Sequence, residues 1–248
     1  MTIKLQPQSG LGDLIFALPL IEKLVSDGQA VTVATNHRYV LAPYEIDVVP
    51  VEFERRLPVI QHDAHHLKYN RYGVHYFKPY FEAFFPAADL LTRIKAVRER
   101  FTAWAASNSS GHMPAPRFYI FAPARAAYRH KHLPAPFECA PMRETVAAAR
   151  ERARATGLPG VTVGSKELYA DGDAARRQTE YDFTGALDFW QLAHYIANAE
   201  RVVSQVSAVT ALAGLMGTPT DFLPARTEST TQHARHVESV VWPGQTII

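Results

Sequence analysis

Hydrophobic residues along this chain fall into two rhythms that alternate from one end to the other. Short apolar runs rich in β-branched or aromatic residues at 3–5, 30–34, 46–51, 117–121 and 161–163, and again from Val202, predict strands. Between them lie longer runs with helical character. Residues 14–24 are apolar on nearly every face, as in a buried helix, and end at Asp27-Gly28. Residues 36–41 fit a short helix, residues 89–106 carry Leu90, Leu91, Ile94, Val97 and Phe101 at helical spacing, and residues 143–156 and 187–199 predict two more helices. Strands alternating with helices imply an α/β fold with parallel sheets.

The rhythm breaks twice. At 107–116 the composition turns to small, polar and proline residues (Ser107-Asn108-Ser109-Ser110-Gly111-His112-Met113-Pro114-Ala115-Pro116), which predicts a linker between a first domain, 1–110, and a second, 117–248. At 62–85 aromatic and basic residues interleave, including Lys68, Tyr69, Arg71, Tyr72, His75 and Lys78. Such a run can stack on sugars or bases and steer phosphates, or it can form an aromatic satellite core under a long loop.

Two strand-to-helix junctions carry the candidate chemistry. The first is Ser9-Gly10-Leu11-Gly12-Asp13 ahead of the 14–24 helix. It is a poor dinucleotide fingerprint, because Ile15 stands where the third glycine belongs and no acid closes the second strand. Asp13 is either an ordinary first-turn acid or a carboxylate held at a cleft edge for proton transfer. The second junction is Val206-Ser207-Ala208-Val209, which opens an Ala/Leu-rich helix that Gly217 stops, with Pro219 beyond. Free amides at such a helix start, with the positive end of the helix dipole, can hold a phosphate. As a bare strand-turn-helix, the same stretch is also compatible with an ordinary buried βα unit.

Composition narrows the classes. Of 248 residues, 47% are hydrophobic and 20% charged, which suits a globular protein, and no apolar run approaches the roughly 18 residues of a membrane span. The first residues lack the features of a signal peptide, so a cytoplasmic location is expected. The single cysteine, Cys139, excludes an internal disulfide, and the 11 histidines lack a convincing ligand spacing, so no metal site is expected. A formal charge of +2 neither demands nor excludes nucleic acid.

Taken together, Gly12-Asp13 with its apolar run to Pro19-Leu20, Lys131-His132-Leu133-Pro134, Gly164-Ser165-Lys166-Glu167, and the segment from Thr184-Gly185 to Gly217-Thr218-Pro219 resemble motifs of the ADP-heptose:lipopolysaccharide heptosyltransferases and their GT-B relatives. The resemblance is strongest from Phe183 to Thr220 and implies two Rossmann-like domains with parallel sheets facing a central cleft. It implies an inverting, metal-independent glycosyltransferase that needs no cofactor beyond its nucleotide-sugar donor. Asp13 would be the general base, with Gly12 and the 68–78 residues on the acceptor side. Lys131 and Arg125 would offset charge on the leaving diphosphate, Glu167 would hold the ribose, and Ser207, Ala208 and Val209 would offer amides to the donor. The expected acceptor is a saccharide; a hydroxylated base in DNA, as for phage-type enzymes, and a binding protein without catalysis are the alternatives. The last arises because Val206, Ala208 and Ala211 stand where the family pattern has aspartate, glycine and histidine. The halves are expected to close about the linker and about a tail whose Val240-Val241-Trp242 packs back across both.

Overall fold

The structure, a computed structural model, describes residues 2–5, 10–51, 87–109, 113–123, 143–164, 179–224, 234, 237–238 and 240–248. The first half contains β1 (Thr2–Leu5), α1 (Leu11–Ser26), β2 (Ala30–Ala34), a single 3-10 turn (Arg38–Leu41), β3 (Asp47–Val49) and the long α2 (Ala87–Asn108). The second contains β4 (Tyr119–Ala122), α3 (Arg143–Arg154), β5 (Gly160–Thr162), β6 (Tyr181–Asp182), α4 (Phe189–Asn198), β7 (Arg201–Gln205), α5 (Ala208–Met216) and β8 (Thr220–Leu223).

Every described strand pairing within the sheets is parallel. One sheet has the order β1-β2-β3 and the other β6-β5-β4-β7-β8. The five-stranded sheet starts at its centre, grows to one side through β5 and β6, then reverses to β7 and β8. This places the crevice of the doubly wound fold at the C-terminal ends of β4 and β7.

Local chemistry explains the boundaries. Asp188 and Gln191 form a reciprocal cap at the start of α4, with Gln191 N–H donating to Asp188 Oδ1 at 2.8 Å and Asp188 N–H to Gln191 Oε1 at 2.9 Å. Gly217 ends α5 at φ +80°, a conformation that side-chain-bearing residues adopt at a cost. Arg98 of α2 donates from Nε to the Leu215 carbonyl at 2.7 Å, covering the same helix end.

The second sheet is covered on both faces, and its period-two pattern sorts the residues. Phe118, Ile120, Val202 and Phe222 face a large cluster that also takes in α4 and α5, while Tyr119, Phe121, Val203 and Leu223 face Val146, Ala149 and Ala153 of α3. The large cluster does not stop at the boundary between the halves. It continues through α5 and α2 into Leu14, Ile15, Leu18 and Ile21 of α1 and on to Val31 and Val33 of β2. An aromatic group adds to the junction: Trp190 of α4 lies 5.0 Å from Phe101 of α2, and its Nε1 donates to the Tyr39 carbonyl at 3.1 Å.

Three sequence expectations change. The predicted linker loses Ser107 and Asn108 to α2, whose last turn is held by Ser109 N–H on Ala105 O at 2.8 Å and Asn108 Nδ2 on Trp104 O at 2.9 Å. The helix continues because Ala105 is fully buried against the core, so packing overrides the polar composition. Second, Thr220–Leu223 is a strand that the pattern does not announce, since the buried Asp221 interrupts its apolar run. Arg152 of α3 reaches that carboxylate at 3.1 Å. Third, the first junction's helix begins at Leu11, ahead of the predicted 14–24 run, and Asp13 stands in its first turn as the helix-acid reading expects. No described helix is long and apolar enough to cross a membrane.

Candidate functional site at two facing helix starts

The two junctions singled out in the sequence meet in space. Gly12, in the first turn of α1, is so close to the first residue of α5 that a β-carbon on it would stand 3.8 Å from Ala208 Cα and 3.9 Å from Ala208 N. That is ordinary van der Waals contact, and a larger side chain at either position would push the helix starts apart. The small residues therefore serve a close approach between a helix from each half.

Both helix starts are built on one plan. In α1 the cap residue is Gly10, and Asp13, three positions on, accepts a hydrogen bond from the Gly10 backbone N–H. In α5 the cap residue is Ser207, and Thr210, also three positions on, accepts the Ser207 N–H through Oγ1 at 2.9 Å. The same hydroxyl approaches the Ser207 carbonyl at 2.9 Å. Of the three amides assigned to a donor phosphate, Ser207 thus already has an acceptor. Ala208 and Val209 occupy the first two helical positions, whose N–H groups no carbonyl of their own helix can satisfy.

Ser207 is also tied to the crevice of the second sheet. Its Oγ lies 3.4 Å from Ser204 Oγ, and the buried Ser204 donates to the Ala122 carbonyl at 2.8 Å, bridging the ends of β7 and β4. The α5 start is therefore fixed to the point where the strand order reverses.

Asp13 is partly buried, and burial pushes its carboxyl from the usual 3.8 up to about 6, against the opposing pull of the Gly10 N–H. Loss of hydration outweighs a favourable hydrogen bond. A carboxylate in that range is basic enough to accept a proton near neutral pH while remaining largely ionised.

Of the residues expected on the donor side, Ser207, Ala208 and Val209 lie at this meeting point, and Lys131, Arg125 and Glu167 lie outside the described residues. Of those expected on the acceptor side, Gly12 is at the meeting point beside Asp13, and Lys68, Tyr69, Arg71, Tyr72, His75 and Lys78 lie outside the described residues. Ala211, which stands in place of the family's histidine, is 2% exposed and belongs to the shared core. Sequence reasoning missed Gly10 and Thr210; the spacing of cap and third helical residue, identical at both junctions, was the available signal.

No protein-family model matches the chain, and no curated protein does. Solved structures match in fold. The Escherichia coli ADP-heptose lps heptosyltransferase II is 13% identical, with a TM-score of 0.54 over 100% of this chain and 90% of that one. The E. coli heptosyltransferase WaaC with ADP-2-deoxy-2-fluoro heptose is 12% identical, with a TM-score of 0.58 and 96% of each chain covered. A glycosyl transferase family 9 protein from Veillonella parvula is 14% identical, with a TM-score of 0.51 over 89% of this chain and 79% of that one. With its doubly wound five-stranded sheet and its two junctions facing one another, the chain has the heptosyltransferase-like GT-B fold.

Proposed function

We propose that the chain is a glycosyltransferase that moves a sugar from a nucleotide-diphosphate sugar to an acceptor hydroxyl, with inversion and without a metal ion. The observation that carries this is the approach of the Asp13 end of α1 to the Ala208 end of α5. One side of the meeting point offers a proton acceptor and the other offers unsatisfied amides at a positive helix end. A single displacement needs those two functions on opposite sides of the sugar: base at the nucleophile, positive potential at the leaving group.

In this reading Asp13 takes the proton of the acceptor hydroxyl as its oxygen attacks the anomeric carbon. The bond to the diphosphate oxygen breaks on the far face, which inverts the configuration. Charge that develops on the diphosphate is stabilised by the Ala208 and Val209 amides and the α5 dipole, with Arg125 and Lys131 supplying cations and Glu167 holding the ribose. The fold neighbours include a heptosyltransferase with ADP, which supports a nucleoside diphosphate as the leaving group. The acceptor is a saccharide, since a formal charge of +2 gives little general attraction for DNA.

The test is transfer from a panel of nucleotide-diphosphate sugars, followed by product stereochemistry, with the native chain and Asp13→Asn side by side. Asp13→Asn should lose roughly 10²- to 10⁴-fold in turnover while still binding the nucleotide. Undiminished turnover in Asp13→Asn would remove Asp13 as the base. Absence of nucleotide binding by calorimetry would favour a binding protein of another kind on the same scaffold.

A further inference from the structure

The C-terminal segment reaches α1 and α5 together. The Trp242 indole, 1% exposed, stacks on Phe16 of α1 with ring centroids 5.5 Å apart and planes 25° from parallel. Its Cδ1 lies against Gly214 of α5, where an added methyl would overlap the ring. Phe16 is one helical turn beyond Asp13, and Gly214 is one turn beyond Thr210.

Trp242 is itself held to the second sheet. Its backbone N–H donates to Gln245 Oε1 at 3.0 Å, and Gln245 Nε2 donates to Thr220 Oγ1 of β8 at 2.9 Å. The last residues pair with the same position: Thr220 N–H donates to the Thr246 carbonyl at 3.0 Å, and Ile248 N–H to the Thr220 carbonyl at 3.1 Å. Since β8 pairs with β7, which leads into Ser207, the indole is anchored on the α5 side and presses on α1.

We propose that Trp242 is a positioning residue: wedged between Phe16 and Gly214, it sets the spacing at which the Asp13 end of α1 meets the Ser207 end of α5. Helices transmit displacement as near-rigid rods, and a gap opened at the wedge alters the contact between Gly12, one turn from Phe16, and Ala208, nearly two turns from Gly214. Water then gains access to Asp13, and the desolvation that raises its carboxyl is relieved. The consequence for catalysis rests on the proposed role of Asp13; the consequence for its titration does not.

The experiment follows the Asp13 carboxyl by carbon NMR in the full chain without substrate, in the native protein, Trp242→Leu, Trp242→Phe and Phe16→Leu. Trp242→Leu and Phe16→Leu should each lower its midpoint by about one unit, a tenfold change in the protonation ratio, and Trp242→Phe should restore most of the native value. Where Trp242→Leu does not fold, Phe16→Leu loosens the same stack from the opposite side and gives the answer. A native midpoint in a folded leucine variant overturns the proposal. In transfer assays the leucine variants should lose turnover about tenfold, with the KM for nucleotide sugar little changed. A shifted midpoint in a protein that transfers no sugar would leave the positioning intact and overturn only the proposed reaction.

Discussion

The starts of α1 and α5 are nearly the same object. Each follows a parallel strand, each has a small cap residue, and each has a third helical residue that accepts the cap's own N–H: Asp13 for Gly10, Thr210 for Ser207. At that third position they differ in one functional group. A carboxyl gives α1 an ionisable site tuned by burial, whereas a neutral hydroxyl leaves α5 with its positive end uncompensated. In the proposed reaction, one capping device therefore supplies the proton acceptor in one place and the anion-binding helix start in the other. There the division of labour follows from the side chain at that third position.

Removing the charge from α1 should have the largest effect. Asp13→Asn keeps an oxygen for the Gly10 N–H and abolishes the base, so turnover falls as stated above. The same change should raise stability. A carboxyl raised from 3.8 to about 6 binds its proton more tightly folded than unfolded. Its contribution is fully present below pH 3.8 and is lost as pH rises through 6, which costs the native chain about 3 kcal/mol at pH 7. Denaturant unfolding at pH 7 should show Asp13→Asn as the more stable protein, with the difference fading at pH 4. The free enzyme's kcat/KM should rise with pH through an apparent pKa of about 6 and lack that limb in the variant.

Giving α5 the charge of α1 breaks the comparison from the other side. Thr210→Asp places a carboxylate at the helix start assigned to the diphosphate. Nucleotide binding measured by calorimetry should weaken more than tenfold, and the loss should lessen at high salt. Thr210→Val is the milder partner: it removes the acceptor for the Ser207 N–H and should cost about 1 kcal/mol of stability. An unchanged stability in Thr210→Val would mean that water replaces the hydroxyl at no net loss.

Packing around the pair gives smaller effects. Gly214→Ala puts a methyl into the space of the Trp242 indole and Gln245 Oε1, and overpacking of that kind costs about 1–3 kcal/mol, readable as a lower unfolding midpoint. Gly12→Ala meets Ala208 at an ordinary contact distance and should stay within about 0.5 kcal/mol of the native chain. A large loss in Gly12→Ala would mean that the helix starts lie closer than described.

The shared core bears on the expected closure of the halves about the linker. Separating them would expose Phe101, Trp190 and Trp242 together with much of α1, and each large side chain brought into water costs about 1.5–3 kcal/mol. Scattering should therefore show at most a small change in dimensions on nucleotide binding. A large change would show that the junction opens despite that cost.

The alternation of short β-branched runs with helical ones was enough to identify an α/β chain with parallel sheets, and both junctions were legible because glycine, serine and alanine at strand-to-helix turns are local signals. β8 was not legible, because its buried Asp221 finds its partner, Arg152, on another element. The end of α2 was misplaced because its last turn is held by burial of Ala105, which composition does not record. Gly10 and Thr210 were passed over because a cap is recognised only when both its ends are considered.

Sequence by itself determined where helices can start and which groups stand at those starts, since capping and propensity act within a few residues. It also placed Trp242 in a tail able to pack back on the body. Only the tertiary structure decided that residues 12 and 208, far apart in the chain, stand in contact, and that Asp13 loses enough water to titrate near 6. Desolvation is a property of everything packed around a group, and no local spacing carries it.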